Sequence, residues 1–396
     1  MLRQTDAAPA ASAEVLRAHA DELLPVYRRE LADLVAIDSG SYSADGVDAV
    51  GAWCAARLTA LGFSVESHET GVVDGRRFGR VVVARRRGTG TRRILLFAHM
   101  DTVFADGTAA LRPYRESEGR AYGPGVSDDK GGLLAGIHAA EVLVRAGYDG
   151  YGELILALTP DEEIGSPASA ALLRAVATGV DAALCLECAR ENGDVVIARK
   201  GVADVRFDVS GRAAHAGVEP ERGADAALEA ARLVLDAHAL AREGDVTVNI
   251  GVVAAGERPN IVPATAHMSG EVRAFGAEAL EQTLRVLERR AAAATVAGVD
   301  VAFRREAFCP PLEASDTASL FTAAREVARE LGFDLDGAST GGVSDANFVA
   351  ARGVPVLDGL GPIGGDDHSP DEWLDLASVP ERVALLAGLV VRIAEG

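Results

Sequence analysis

The sequence predicts an α/β protein carrying a smaller α+β insert, and three observations lead there. Apolar, β-branched runs alternate with helix-like stretches up to residue 199, the pattern of a sheet covered on both faces. From 200 to 308 the order becomes β-α-β-β-α-β, that of a small ferredoxin-like sandwich. From 309 to 396 mixed α/β patterning returns, so a larger domain made of residues 1–199 and 309–396 would enclose the insert. A chain of 396 residues is long enough for two such cores.

After an Ala-rich, frayed start, residues 13–35 read as helix through Leu16, Leu23, Leu24, Tyr27 and Leu31, with Pro25 predicting a kink or a break. A second helix, about 45–61, stops at Gly62. "RVVVARR" and "RRILLFAHMD" are runs typical of buried strands. "DKGGLLAGIHAAEVLVRAG" is a helix stopped by Gly147, and "GELILALTPDEE" and "VDAALCLECA" are two more strands. In the insert, "VADVRFDVSG" alternates with period two and "GADAALEAARLVLDAHALA" is helical. "VTVNIGVVAAG" and "ATAHMSGEVRAF" are paired strands, "AEALEQTLRVLERRAAAATVAG" is a helix and "VDVAFRREAF" a last strand.

With 48% hydrophobic and 25% charged residues the chain reads as a soluble globular protein. A net charge of −20 argues against a footprint for DNA, RNA or anionic lipid. No stretch reaches the length of a membrane span, and "MLRQTDAAPAASAEVL" lacks the apolar core of a signal peptide. The cytoplasm is therefore the expected compartment. Cys54, Cys185, Cys188 and Cys309 are too scattered for a disulfide framework. Cys185 and Cys188 fall in a predicted strand, where their side chains would point to opposite faces, and buried thiols are expected. Lys130 and Lys200 are the two lysines of an otherwise arginine-based set of cations.

Chemically competent side chains recur where predicted strands and loops end. "LLFAHMDTV" supplies His99 and Asp101, "GPGVSDDKGG" Asp128 and Asp129, "TPDEEIGS" Glu162 and Glu163, "LCLEC" Glu187, and "GGDDHSPDEW" His368. Ligands of α/β sheets gather beyond the carboxyl ends of the strands, so these segments are expected to converge. Each has an ordinary reading alone: a structural histidine, an acidic turn, a solvated helix start. His138, His238 and His267 keep that ordinary reading. Together the set exceeds the three ligands and water of a single catalytic zinc, and suits two cations sharing a carboxylate. Imidazole with carboxylate favours Zn²⁺, with Mn²⁺ or Co²⁺ as alternatives. Asp101, two residues beyond His99, is placed to accept that ring's other N–H. Adjacent like charges at Glu162 and Glu163 resist burial unless something positive lies by them, which suits a metal ligand beside a general base.

"AHMDTV", "GPGVSDDKGG", "TPDEEIGS" and "HSPDEW", in that order, resemble the di-zinc metallopeptidase family of glutamate carboxypeptidase, acetylornithine deacetylase, succinyl-diaminopimelate desuccinylase and aminoacylase. The resemblance spans residues 20 to 392. It implies a mixed-sheet zinc-hydrolase catalytic domain with an inserted ferredoxin-like dimerisation lid. By that resemblance Asp128 would bridge two Zn²⁺ ions and be joined to Asp129 by a cis peptide. His99 and Glu187 would complete one site and Glu163 and His368 the other. Glu162 would take a proton from the metal-activated water and return it to the leaving amine. His215, in "GRAAHAGVEPE", is similar to a histidine that reaches the partner subunit's site and steadies the oxyanion. Asn260, in "RPNIVPA", and Arg273, in "GEVRAF", resemble residues holding the substrate's free carboxylate, and Gly341 and Gly342, in "STGGVSDANF", a loop lining the substrate pocket. Lys200 leads out of the catalytic domain, where a hinge-region salt bridge or a substrate contact is expected. The pattern departs from its relatives at Cys188, a position often proline. It also lacks basic residues at Asp194 and in "EAFCPP", where a glutamate side chain would be gripped. The implied enzyme is a homodimeric amide hydrolase acting on a short peptide or N-acyl amino acid beside a free carboxylate. A two-metal phosphoesterase would need cations near the metals, where the loops are acidic, and a catalytically silent binding protein would be expected to lose Glu162.

Overall fold

Three neighbouring parallel strands, Arg93–His99, Glu153–Thr159 and Ala182–Cys185, form the centre of a six-stranded sheet. Their side chains are almost all buried, which is why they read as continuous apolar runs rather than alternating ones. Val356–Leu357 extends the sheet in parallel beside Ala182–Cys185, whereas Val81–Arg87 and Ser64–His68 add antiparallel strands at the other side. The sheet is therefore mixed. The computed structural model describes residues 11–242 and 244–396. Most of the frayed start expected at the N-terminus lies outside the described residues.

Helices Ala13–Val35, Lys130–Arg145 and Ser378–Glu395 pack together against this sheet. Lys130–Arg145 is buried on nearly all sides, and its glycines let strand ends approach it: a Cβ at Gly132 would stand 1.8 Å from the Leu186 carbonyl oxygen. The segment bearing Glu187 is thus held hard against the helix that begins after Asp128. The helix expected at 13–35 is unbroken. Pro25 sits on its exposed face, so the carbonyl that it leaves without a donor is open to water, while Leu23 and Tyr27 stay buried on the inner face.

A small antiparallel sheet of Gly364–Gly365, Trp373–Asp375, Arg120–Tyr122 and Arg115–Ser117 brings the "HSPDEW" loop beside the loop that carries Asp128. Its strands are two or three residues long, too short to leave a period in the sequence. The strand through Cys185 ends there, so Cys188 lies in the next loop and the opposite-face argument does not apply to it. All four cysteines are nonetheless buried, and none is in a disulfide.

The chain divides into two compact units, one of residues 11–197, 314–339 and 344–396, the other of Ala198–Glu313 with Thr340–Val343. The second unit thus includes a short return, Thr340–Val343, that boundaries at 200 and 308 leave out. Its elements run Gly201–Ser210, Ala226–His238, Val246–Ala255, Thr265–Ala274, Ala277–Ala292 and Asp300–Cys309, with strand, helix, two strands, helix and strand in turn. The four strands form one antiparallel sheet in the order Val246–Ala255, Thr265–Ala274, Gly201–Ser210, Asp300–Cys309. Both helices cover one face of it, over a core that includes Phe207, Met268, Leu280 and Leu284. No helix among the described residues is long and apolar enough to cross a membrane.

Candidate active site

His99 closes the central strand with its ring buried, and Nε2 lies 2.9 Å from Asp128 Oδ1 and 3.8 Å from Glu187 Oε1. His368 Nε2 lies 3.1 Å from Asp128 Oδ2 and 3.0 Å from Glu163 Oε2. The two oxygens of Asp128 therefore face two different imidazoles, each with a further carboxylate at hand. Donor atoms of His99, Asp128 and Glu163 lie within 4.8 Å of one another, and so do those of His99, Glu162 and Glu187. The peptide joining Asp128 to Asp129 is cis.

This donor set fits divalent cations. It consists of imidazole nitrogens and carboxylate oxygens, and Glu163 Oε1 is buried without a hydrogen-bond partner. Burial raises Glu163, and burial followed by Glu187 raises Glu162 well above the usual carboxylate range. Burial would raise Asp128 too, but its bonds to His368 and His99 outweigh that and hold it below its usual value. Hydrogen bonds to Asp128 and Glu163 push His368 up to about 10. A positive charge among these oxygens would relieve the cost that the first two shifts express.

Asp101 does more than face His99. The ring Nδ1 lies 3.0 Å from the Asp101 main-chain oxygen and 3.4 Å from Oδ1. The carboxylate accepts from the Glu162 N–H at 3.1 Å and the Glu163 N–H at 3.2 Å, and Ser41 Oγ donates to it at 2.7 Å. Asp101 thus ties the end of one strand to both glutamates beyond the next. Buried Asp345 grips the same loop from its flanks, accepting from Thr159 Oγ1 at 2.6 Å and from Ser166 Oγ at 2.5 Å.

Glu372, in the "HSPDEW" segment, holds the other side. It is buried, Oε1 accepts from Ser127 N at 2.9 Å and Asp128 N at 3.1 Å, and Oε2 accepts from Gly125 N at 2.9 Å. Burial pushes its carboxyl up to about 7 despite those three bonds. One short segment therefore carries both His368 and the carboxylate that fixes the loop of Asp128. His368 has a left-handed backbone, φ +62°. Sequence reasoning misses Ser41, Asp345 and Glu372. Glu372 acts on main-chain groups, Asp345 on the flanks of its loop and Ser41 on Asp101 from 60 residues away, so none has a partner that a motif would reveal.

Residues 95–392 match peptidase family M20/M25/M40. The chain belongs to that family. Over 378 residues it is 32% identical to carboxypeptidase G2 of Pseudomonas sp. (strain RS-16), a match covering 94% of this chain and 90% of that protein. It is 30% identical over 285 residues to acetylornithine deacetylase of Myxococcus xanthus, covering 67% and 72%. The solved structure of aminopeptidase PepT from Bacillus cereus superposes with a TM-score of 0.79 at 24% identity, over 94% of this chain and 99% of that one, a likeness of fold. The resemblance read from the four motifs is borne out, and the M20 member described here is an enzyme of the metallopeptidase and amidohydrolase kind. Peptide-like small molecules are the substrates that membership indicates.

The remaining candidates of this M20 chain lie in the second unit. His215 is exposed in the loop after Gly201–Ser210, with Nδ1 accepting from Gly217 N at 3.2 Å. Asn260 is exposed on the segment paired with it: His215 bridges Ile261, and Ala216 N donates to the Asn260 main-chain oxygen at 3.1 Å. Arg273 forms a two-pronged bond to Glu271, 2.9 Å on each arm, and donates to the Gly341 main-chain oxygen at 3.0 Å. Gly342 is next, with its carbonyl near Arg199 Nη1 at 3.5 Å. The structure therefore groups these five as two sets, His215 with Asn260 and Arg273 with the glycine loop. Lys200 lies with Nζ 5.2 Å from the Phe275 ring centre, and Lys130 donates to the Ile37 main-chain oxygen at 2.7 Å. His138 is a buried partner of Glu30 at 2.7 Å, in keeping with its ordinary reading. Arg305 is paired with Glu281 at 2.9 Å and Arg304 approaches Asp208 at 3.7 Å.

Proposed function

We propose that this enzyme hydrolyses an amide or peptide bond next to a free carboxylate, using two divalent cations held by its own histidines and carboxylates. The observation that carries the reading is Asp128, whose two oxygens meet His99 and His368 separately, at 2.9 and 3.1 Å. His99 with Glu187 would complete one site and His368 with Glu163 the other, with Asp128 common to both. Zn²⁺ fits this donor set, with Co²⁺ or Mn²⁺ as alternatives. When bound, such a pair supplies a polarised water and stabilises charge on the amide oxygen.

The chain's own part is proton handling and positioning. Glu162, its N–H held by Asp101, takes a proton from the attacking water as the C–O bond forms. It returns that proton to the nitrogen as the C–N bond breaks, releasing a carboxylic acid and an amine. Asp101 keeps the His99 ring oriented. In the second unit Arg273 and Asn260 would hold the substrate's free carboxylate, and Gly341 and Gly342 would line the pocket. His215 would steady the oxyanion from a partner subunit.

A ferredoxin-like dimerisation lid is the reading of that second unit, supported by its strand order and its exposed edge. Val246–Ala255 is an edge strand exposing Val252 and Val253, and the helix Ala226–His238 exposes Leu228 and Leu235. Paired, these surfaces would give a homodimer.

A hydrolysis panel of N-acyl amino acids and dipeptides tests the reading, run on chelated enzyme with Zn²⁺ added back and on Glu162→Gln. Turnover is expected only with metal and intact Glu162. Hydrolysis that survives chelation, or that is undiminished in Glu162→Gln, overturns the mechanism.

A further inference from the structure

A cleft of about 420 Å³ opens directly beside Glu163, wholly within the catalytic unit. Its volume falls in the range of small-molecule sites, roughly 300–1,000 Å³. Three segments wall it: residues 40–43, residues 102–106, and Glu163 with Ile164. The walls are stitched together by main-chain bonds, Ser41 N to Thr102 O at 3.2 Å and Thr102 N to Ser39 O at 2.9 Å. A Cβ at Gly40 would stand 2.3 Å from the Phe104 carbonyl oxygen, so the first two walls meet this closely because residue 40 has no side chain. Ser41, through its bond to Asp101, ties the cleft to the carboxylate that holds Glu162 and Glu163.

The lining is apolar where it opens. Tyr42 is 62% exposed and Val103 43%, unusual for large apolar side chains, and Phe104 and Ile164 continue the surface. Its charged lining groups are both acids, Glu163 and Asp106. Two guanidinium groups stack on its aromatic side chains without themselves lining it. Arg112 lies 4.3 Å from the Phe104 ring centre and donates to the Ser369 main-chain oxygen at 3.0 Å, and Arg76 lies 4.8 Å from the Tyr42 ring centre. A carboxylate entering here would lose its water against an apolar wall and find no cationic lining side chain, with Asp106 as the one lining acid that the metal reading does not use, whereas an uncharged aromatic or branched group would remove exposed apolar surface from water.

We infer that this cleft is the acyl subsite, receiving a neutral, apolar acyl group, or the neutral side chain of an N-terminal residue, on the carbonyl side of the scissile bond. The inference rests on the hydrolytic reading above, in which the free carboxylate belongs to the amine half of the substrate. That half is poorly suited to the cleft, whose lining offers a carboxylate no side-chain cation and mostly apolar surface. The cleft therefore sets which amides are cut: apolar acyl groups are preferred over acetyl, and acetyl over succinyl.

The test compares N-phenylacetyl-, N-acetyl- and N-succinyl-alanine on wild-type enzyme, Val103→Arg and Tyr42→Ala. In wild type kcat/KM is expected to fall at least about 10-fold at each step, given the roughly 10- to 200-fold that one methylene contributes in an apolar pocket. Val103→Arg is expected to shift the phenylacetyl-to-succinyl ratio toward succinyl by about 10-fold or more, and Tyr42→Ala to narrow the phenylacetyl-to-acetyl ratio. A parallel calorimetric measurement reads the binding of the same three amides to Glu162→Gln, with and without Val103→Arg, and needs no turnover. Ratios that Val103→Arg leaves within twofold, in turnover and in binding, overturn the subsite. Binding that obeys the predicted order in a wild-type enzyme that cleaves none of the three sinks the hydrolytic reading while the cleft's preference stands.

Discussion

Replacing Glu372 by glutamine separates holding the Asp128 loop from ligating a metal. The buried carboxylate accepts three main-chain N–H groups, from Gly125, Ser127 and Asp128, at 2.9, 2.9 and 3.1 Å. Hydrogen bonds to a charged group contribute about 1.5–3 kcal/mol each, roughly twice the neutral value. Glutamine keeps one oxygen, which still accepts two N–H groups at neutral strength, but it turns an NH₂ toward the third. The loss is then about half of two charged bonds and all of one, roughly 3–6 kcal/mol for a fully ionised group and nearer the lower figure here, because burial has pushed the carboxyl up to about 7. That cost divides between the fold and the position of Asp128, whose own N–H is one of the three. We expect urea denaturation of chelated Glu372→Gln to show a loss of about 2–4 kcal/mol. Competition against a chromophoric chelator is expected to show Zn²⁺ affinity lowered about 10- to 100-fold, the usual effect of removing a group that orients a ligand. Glu372→Ala should be worse on both counts, since it leaves all three N–H groups without an acceptor. A stability loss of the full size with unchanged Zn²⁺ affinity would refute the coupling between this carboxylate and the metal centre.

Asp101→Asn withdraws an acceptor from the N–H of Glu162 or Glu163, so kcat is expected to fall about 10- to 100-fold while Zn²⁺ content, measured by atomic absorption, holds; a kcat within twofold of wild type contradicts the role. In the network of Arg57 with Glu30 and Glu141, burial alone would raise both carboxyls, but His138 and Arg57 outweigh it at Glu30, and Arg57 and Arg145 at Glu141, so both lie below their ordinary 4.5. Their contribution is therefore complete above about pH 4.5 and is lost as the pH falls through the depressed folded values. Arg57→Met should cost about 2–3 kcal/mol at neutral pH, between the limits for exposed and buried pairs, and clearly less near pH ~3; an equal cost at both, in urea melts, refutes the assignment. Val252→Lys combined with Leu235→Glu is expected to give a monomer by light scattering, and full activity in that monomer would remove the trans role proposed for His215.

Some of this molecule is legible in the sequence because apolar runs have visible ends. "RILLFAH", "ELILALT" and "AALC" stop where burial stops, and at or just beyond each end stands a histidine, a pair of glutamates or a glutamate that no core position would tolerate without a partner. Adjacency of the three parallel strands then does the converging, which is why motifs far apart in the chain can be read as one site. The helix with Pro25 is legible in extent and not in continuity, because the exposure of a proline's face is a tertiary fact. The concealed residues obey a physical rule. Glu372, and Asp101 in the second role it plays beside its expected one at His99, work by accepting main-chain N–H groups, and every residue but proline offers one, so the partner leaves no letter to pair with. The small sheet beside His368 is concealed for the related reason that two- and three-residue strands carry no period. Motif reading therefore finds the groups proposed to meet the substrate or a metal, while the groups that hold them have to be found by tracing each buried carboxylate to its donors. The same rule separates chemistry from specificity here: the acids at the strand ends are shared motifs, but the cleft at Tyr42 and Val103 is built from apolar side chains in loops, which only their joint exposure beside Glu163 distinguishes from ordinary turns.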